Sequence, residues 1–292
     1  MNWRSGYIAV DWGTTNRRAY RVENGVTVDM FEDDLGLMSV PEGGFPQAAS
    51  AVRERLSDLP MLLAGMVGSN RGWREVPYVT CPAGSADLAG SVLWLDRRTG
   101  IVPGVCQRGD AGPDVMRGEE VQILGAVAAG LIEDDALVCH PGTHAKWIEV
   151  KAGRIQSFRT MMTGEVFGLL CAHSILSDQL TGQALPGGSF ASGVADALAG
   201  EPPLSALFRI RARHLLEGDD GDTVSRASGI LIGSEVAWAK RTFADVPVAL
   251  IGRPDLCELY AVAIRLTARQ SFCVDGADAF IAGIDALTRM LP

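Results

Sequence analysis

At 292 residues the chain has room for one large domain or two ordinary ones, with a full hydrophobic core. Hydrophobic residues at 47% and charged residues at 21% are globular proportions, and a formal charge of −9 speaks against nucleic acid or an anionic membrane as partner. Six cysteines without a Cys-x-x-Cys pair argue against a disulfide scaffold or a zinc site. No basic-then-apolar leader opens the chain and no apolar run reaches ~18 residues, so a cytoplasmic protein is expected.

In chain order, Tyr7–Val10, Arg18–Val22 and Val26–Phe31 read as a three-strand meander, with Asn24-Gly25 as its second turn. The first turn carries the motif: Asp11 closes a buried strand, and Gly13, Thr14, Thr15 and Asn16 offer free N–H groups and two hydroxyls, a surface suited to anionic oxygens. A carboxylate at its edge suits a hydrated Mg²⁺. The stretch has no lysine and runs into a strand, so it is not a Walker A loop; a ligand-free hairpin turn is the alternative. Gln47–Leu56 reads as a helix and Met61–Ala64 as a buried strand, followed by the loop GMVGSNRGW, Gly65–Trp73. Gly118–Leu131 has helical spacing and enough Ala and Gly to pack closely against a neighbour.

A second strand–turn–strand, ALVCHPGTHAKWIEV, starts at Ala136 and echoes the first, suggesting two halves of similar topology facing a cleft. Helices are expected over Gly164–Leu180, Ser189–Ala199, Ser205–Leu216, Ser228–Thr242, Asp255–Arg269 and Ala277–Met290, with a strand at Val246–Ile251. EGDDGD, Glu217–Asp222, reads as a solvated loop, since the spacing of a calcium loop is missing.

Four further segments carry chemistry. In MRGEEVQILGA, Glu119 is either first-turn cap chemistry or a general base, and Arg117-Gly118 opens the approach to it. HPGTHAKW has histidines at 140 and 144, but Pro141 and Gly142 between them disfavour a helical metal pair. A Gly142-Thr143 phosphate turn fits better, with His144 or Lys146 adding charge. In the Gly65–Trp73 loop, Ser69, Asn70 and Arg71 suit a polyol and a carboxylate, and Trp73 an apolar wall. In FRTMMTGE, Arg159, Thr160, Thr163 and Glu165 face a site, or Thr163 simply caps a helix. Gly252, ending a strand before a helix, is a shape on which a nucleoside rests.

The opening hairpin resembles the first phosphate motif of the sugar kinase/Hsp70/actin superfamily. DWGTTNRRA, AGMVGSNRGW, VMRGEEVQILGA, PGTHAKW, FRTMMTGE and SGILIGSE together resemble the 2-dehydro-3-deoxygalactonokinase family nearly end to end. The resemblance implies an α/β, two-domain actin-like (ribonuclease H-like) sugar kinase fold with a central cleft. The implied division is 1–132, with 277–292 packing back on it, and 133–276. It implies ATP with Mg²⁺ and a sugar acid as ligands, and phosphorylation of the C6 hydroxyl; another sugar-acid kinase or a nucleotide-binding regulatory protein are the rival readings. Asp11 would hold the metal through water, with Gly13, Thr14, Thr15, Asn16 and Arg18, and then Gly142, Thr143, His144 and Gly252, serving ATP. Ser69, Asn70, Arg71, Trp73, Arg117, Glu119, Arg159 and Thr163 would serve the sugar acid. Relatives carry a Gly-Asp base where this chain has Gly118-Glu119, which makes Glu119 the base, with Asp11 and Glu120 as rivals. Pro141 stands near the Asp that many relatives carry in the second turn, and Gly252-Arg253 replaces a Gly-Gly. Assembly stays open, a homodimer being the commonest outcome.

Overall fold

The computed structural model describes residues 3, 5–109, 112–218 and 221–291. The meander forms as β1 (Tyr7–Trp12), β2 (Arg17–Glu23) and β3 (Val26–Asp33), followed by α1 (Phe45–Leu56) and β4 (Met61–Gly65). Five short elements follow: β5 (Val79–Thr80), α2 (Ser85–Gly90), β6 (Leu93–Trp94), β7 (Thr99–Ile101) and β8 (Val105–Gln107). Then come β9 (Asp114–Met116), α3 (Glu119–Ala128), β10 (Ala136–His140), β11 (Ala145–Lys151), β12 (Arg154–Met161) and α4 (Thr163–His173). The chain continues through α5 (Gly188–Leu198), α6 (Pro203–Glu217), α7 (Thr223–Thr242), β13 (Val248–Gly252), α8 (Pro254–Arg265), β14 (Ser271–Asp275) and α9 (Gly276–Thr288).

The contacts divide the chain into two units: Met1–Asp135 with Glu149–Phe158 and Gly276–Pro292, and Ala136–Ile148 with Arg159–Asp275. The sequence reading placed the boundary at 132/133 and saw no return of 149–158. In the first unit a six-stranded sheet runs β3-β2-β1-β4-β7-β6. β1 pairs antiparallel with β2 and parallel with β4, so it is central and buried on both faces, which is why YIAVDW is nearly all apolar. Ile8, Val10 and Trp12 meet Phe45, Val52 and Leu56 of α1 in one core, each worth roughly 1.5–3 kcal/mol of burial. α3 packs on α9 through Gly125 and Gly283, the close neighbour that its small residues foretold.

The second sheet runs β12-β11-β10-β13-β14, with β10, β13 and β14 mutually parallel. Numbered within each sheet, the second runs 3-2-1-4-5 and the first 3-2-1-4-6-5, so both share the 3-2-1-4 core of the duplicated ribonuclease H-like, actin-like α/β fold. Its core joins Trp147, Phe190, Val236, Leu250 and Tyr260. Among the described residues no helix is long and apolar enough to cross a membrane.

Several elements differ from the sequence reading. α4 stops at His173, not Leu180, because Ser174 turns its hydroxyl back to the Leu170 carbonyl and takes the Leu176 N–H, competing with the helix ladder. α3 stops at Ala128, not Leu131, in a left-handed Gly130 cap: Gly130 N–H bonds Val127 and Leu131 N–H bonds Ala126. α7 starts five residues early, at Thr223, where the Asp222 side chain accepts the Ser225 N–H. That caps a helix with one carboxylate of the expected solvated loop; Asp219 and Asp220 lie outside the described residues. α8 ends at Arg265, and β14, half polar and mostly exposed, follows it unforeseen.

Candidate active site

The first unit presents the β1–β2 turn. Gly13 N–H bonds the Asn16 carbonyl, and the carbonyls of Gly13, Thr14 and Thr15 are taken by the N–H groups of Leu37, Met38 and Gly36. No side chain fits at Gly36, where a Cβ would lie 2.3 Å from the Thr15 carbonyl carbon. With its carbonyls tied back, the turn leaves the N–H groups of Thr14 and Thr15 without an acceptor among the described residues, as an anion cradle requires. Thr14, Thr15 and Asn16 are exposed.

Neighbouring arginines on β2 point to opposite faces and do different work. Arg17 is buried, forks onto Asp33 at 2.6 and 3.2 Å and lies over the Trp12 ring, so it holds the hairpin together. Arg18 is the register partner of Asp11, and pairs with Glu32 at 3.3 Å; Glu32 also accepts the Asn16 amide. Burial pushes the Asp11 carboxyl up to about 6, Arg18 opposes this, and Glu119 and Glu32 add to it.

Glu119 comes close because Gly118, at φ 108, turns against the backbone of Gly65, itself the residue after the β4 partner of Asp11. The structure separates the two acidic residues that the sequence left together. Glu120, fully buried, folds both oxygens back onto the Gly118 N–H at 2.7 and 2.9 Å, which is the cap role. Burial first, then the Glu119 charge, push its carboxyl up to about 8. Glu119 is half-buried, and its Oε2 accepts the Arg117 N–H at 3.1 Å.

The Gly65–Trp73 loop is a turn of 3₁₀ helix over Met66–Gly68, closed by Trp73 N–H on Val67 and Val76 N–H on Gly68. Trp73 stacks on Phe45 at 6.3 Å, and Ser69 is buried, accepting the Arg71 N–H. Asn70 and Arg71 stand exposed, with Arg71 Nη2 against the Met38 sulfur. Arg117 is 8% exposed and lies under the loop: Nη2 donates to the Val76 carbonyl, the guanidinium covers Tyr78 at 4.3 Å, and Nε and Nη1 find no acceptor among the described residues.

The second unit presents the β10–β11 turn. Thr143 gives its carbonyl to the Glu165 N–H, and a Cβ on Gly164 would lie 2.5 Å from the Gly142 carbonyl oxygen, so α4 begins directly against the turn. His144 Nε2 meets Glu165 Oε2 at 2.5 Å, and the buried Lys146 ammonium donates to the His144 carbonyl. Beside the turn a pocket of about 490 Å³ is lined by Gly142, Thr163, Gly164, Ser228, Arg253, Leu256 and Tyr260, among others. Gly252, before it, has φ 152 and faces Pro141. Arg159 is half-buried on β12 in this unit, and Thr163 lines the pocket with its hydroxyl given to Glu235. Sequence reasoning missed Ser228, Glu235, Leu256 and Tyr260. Its one signal was a glutamate inside the otherwise small and apolar run SGILIGSE.

Over residues 11–287 the chain matches the family described as 2-keto-3-deoxy-galactonokinase. It is similar to the 2-dehydro-3-deoxygalactonokinase of Escherichia coli (strain K12), 34% identical over 286 residues, 96% of this chain and 97% of that one. A Rhizobium meliloti (strain 1021) protein assigned as a 2-dehydro-3-deoxygalactonokinase is 37% identical over 298 residues, covering 98% of this chain and 97% of its own. A crystal structure from Sinorhizobium meliloti, assigned to the same activity, matches the backbone with a TM-score of 0.90 at 34% identity, over 97% of this chain and 98% of that one.

Proposed function

Since the chain belongs to the 2-keto-3-deoxy-galactonokinase family, an ATP-dependent kinase family, we propose that it transfers the γ-phosphate of ATP to the C6 hydroxyl of 2-dehydro-3-deoxy-D-galactonate. The observation that carries this reading is the turn of Gly13–Asn16, with the Thr14 and Thr15 N–H groups free of acceptors among the described residues and the Asp11 and Glu119 carboxylates at its edge.

In this reading the N–H groups of Thr14 and Thr15, and the Gly142-Thr143 turn with His144, hold the phosphates. The pocket beside Gly142 takes the adenosine, with Gly252 turning the chain into it. Glu119 accepts the proton of the attacking hydroxyl as the new P–O bond forms and ADP leaves with the electrons of the broken one. Arg18 opposes the burial that raises Asp11, keeping a carboxylate at the turn. The Asp11 carboxylate at the edge of the turn would hold Mg²⁺ through water, and the bound ion would neutralise phosphate charge. Asn70 and Arg71 bind the sugar acid along the exposed edge of their loop, the buried Ser69 braces it through the Arg71 N–H, Trp73 walls it, and Arg117 holds the loop from beneath. Arg159 stays a candidate for the carboxylate, whereas we place Thr163 in the adenosine wall. Most of the acceleration comes from positioning and charge neutralisation.

The test is ADP release from Mg-ATP with 2-keto-3-deoxygalactonate, with its gluconate epimer, and with plain hexoses. Strong stimulation by the galactonate compound alone is expected. Stimulation by the epimer or a hexose instead would move the acceptor, and no stimulation by any acceptor would overturn the reading.

A further inference from the structure

Glu235 is a buried carboxylate that none of these roles uses. It sits on α7 at 4% exposure and draws donors from three other elements. Oε1 accepts the indole N–H of Trp147 from β11 at 2.7 Å. Oε2 accepts the hydroxyl of Tyr260 from α8 at 2.9 Å and that of Thr163 from the start of α4. No cation pairs with it among the described residues. Burial raises its carboxyl, and the three donors pull the other way. A carboxylate kept in a core by neutral donors alone is costly, and packing needs by themselves are met better by an apolar side chain.

What the carboxylate supplies is direction. Thr163 and Tyr260 both donate to Oε2, so the hydrogens of both hydroxyls are spent on Glu235. Each hydroxyl then has only lone pairs left to offer. Both residues line the 490 Å³ pocket beside Gly142. The other polar side chains there differ in kind: Arg253 and Asp255 are forked onto each other, leaving Gln183 and Ser228 as adaptable groups.

We propose that Glu235 is a positioning residue which fixes the Thr163 and Tyr260 hydroxyls as acceptors, so that this pocket selects hydrogen-bond donors on the nucleoside. Ribose hydroxyls and an exocyclic amine are such donors. The inference rests on the reading of this pocket as the adenosine site.

Glu235→Gln is nearly isosteric and inverts the polarity: its amide donates where Oε2 accepted, turning the two hydroxyl hydrogens toward the pocket. ADP binding, measured by calorimetry without acceptor, should weaken tenfold or more, while the KM for the sugar acid stays within twofold and the unfolding midpoint within a few degrees. Tyr260→Phe and Thr163→Val, which each remove one acceptor, should weaken ADP severalfold. Leu256→Trp, which fills the pocket, tests the underlying reading. If ADP binds Leu256→Trp as it binds wild type, the pocket assignment falls. If Leu256→Trp loses ADP while both hydroxyl deletions bind it within twofold of wild type, the role of Glu235 falls and the pocket assignment stands. An equal loss of ADP affinity, sugar-acid KM and midpoint in Glu235→Gln would reduce Glu235 to a structural tie.

Discussion

The β1–β2 turn and the β10–β11 turn share a backbone device and differ in charge. In each, a threonine carbonyl is capped by an N–H from a later segment: Thr15 by Gly36, Thr143 by Glu165. In each, a glycine lies so close that a Cβ would strike the turn, Gly36 in one and Gly164 in the other. Yet the first is edged by Asp11 and Glu119, with Asp11 pushed upward by burial, while the second carries His144 paired with Glu165 and a buried Lys146. In the proposed reading the shared backbone device serves phosphate in both turns, whereas proton and metal handling fall to Asp11 and Glu119 of the first; the carboxylate of the second, Glu165, is tied to His144.

The hardest break in this contrast is Glu119→Gln. Turnover should fall by roughly 10²–10⁴-fold with the KM for ATP nearly unchanged; a turnover within tenfold of wild type would hand the base role to Asp11 or Glu120. Arg71→Ala should next raise the KM for the sugar acid by roughly 10–100-fold, the range of one charged hydrogen bond, and leave ATP alone. A shift in the KM for ATP instead would remove Arg71 from the acceptor loop. Gly164→Ala wedges a methyl against Gly142 and should cost about 1–3 kcal/mol of stability, with a weakened KM for ATP. Unchanged values would show that α4 can retreat from the turn.

A pH series probes the buried cap. Glu120 is shifted up from its ordinary value to about 8, so its contribution to stability is complete below about pH 4.5 and is lost as pH rises through 8. Unfolding midpoints of the wild type should therefore fall between about pH 4.5 and 8, and Glu120→Gln should flatten that fall. A wild type with a flat midpoint would mean that Glu120 is ionised at little cost. The smallest effect belongs to His144→Gln: its pair with Glu165 is largely exposed, so stability should move by less than about 1 kcal/mol.

Both turns were legible because Gly-Thr between β-prone runs is a local signal, and so was the duplicated sheet, whose two halves repeat it. The division between Glu119 and Glu120 was not: it depends on the positive φ of Gly118, which decides which carboxylate folds back. Arg17 and Arg18 are neighbours in sequence, yet the period of two on a strand sends them to opposite faces, and only Arg18 is the register partner of Asp11. That Thr163 lines the pocket beside Gly142 with its hydroxyl on Glu235 was not legible, because Glu235 lies 72 residues further on. Two- and three-residue strands such as β5, β8 and β9 are too short to show any periodicity.

The first unit is drawn from three separate stretches of chain, which passes between the units at 135/136, 148/149, 158/159 and 275/276. Cutting the gene after Asp135 would therefore not yield a free-standing half. It would strip α9 from α3 and lay bare the glycine-lined groove in which they meet, a surface built for a helix and not for water. Anyone dissecting the enzyme into parts has to permute it first, splicing the closing helix onto the opening sheet so that the half carries its own cover.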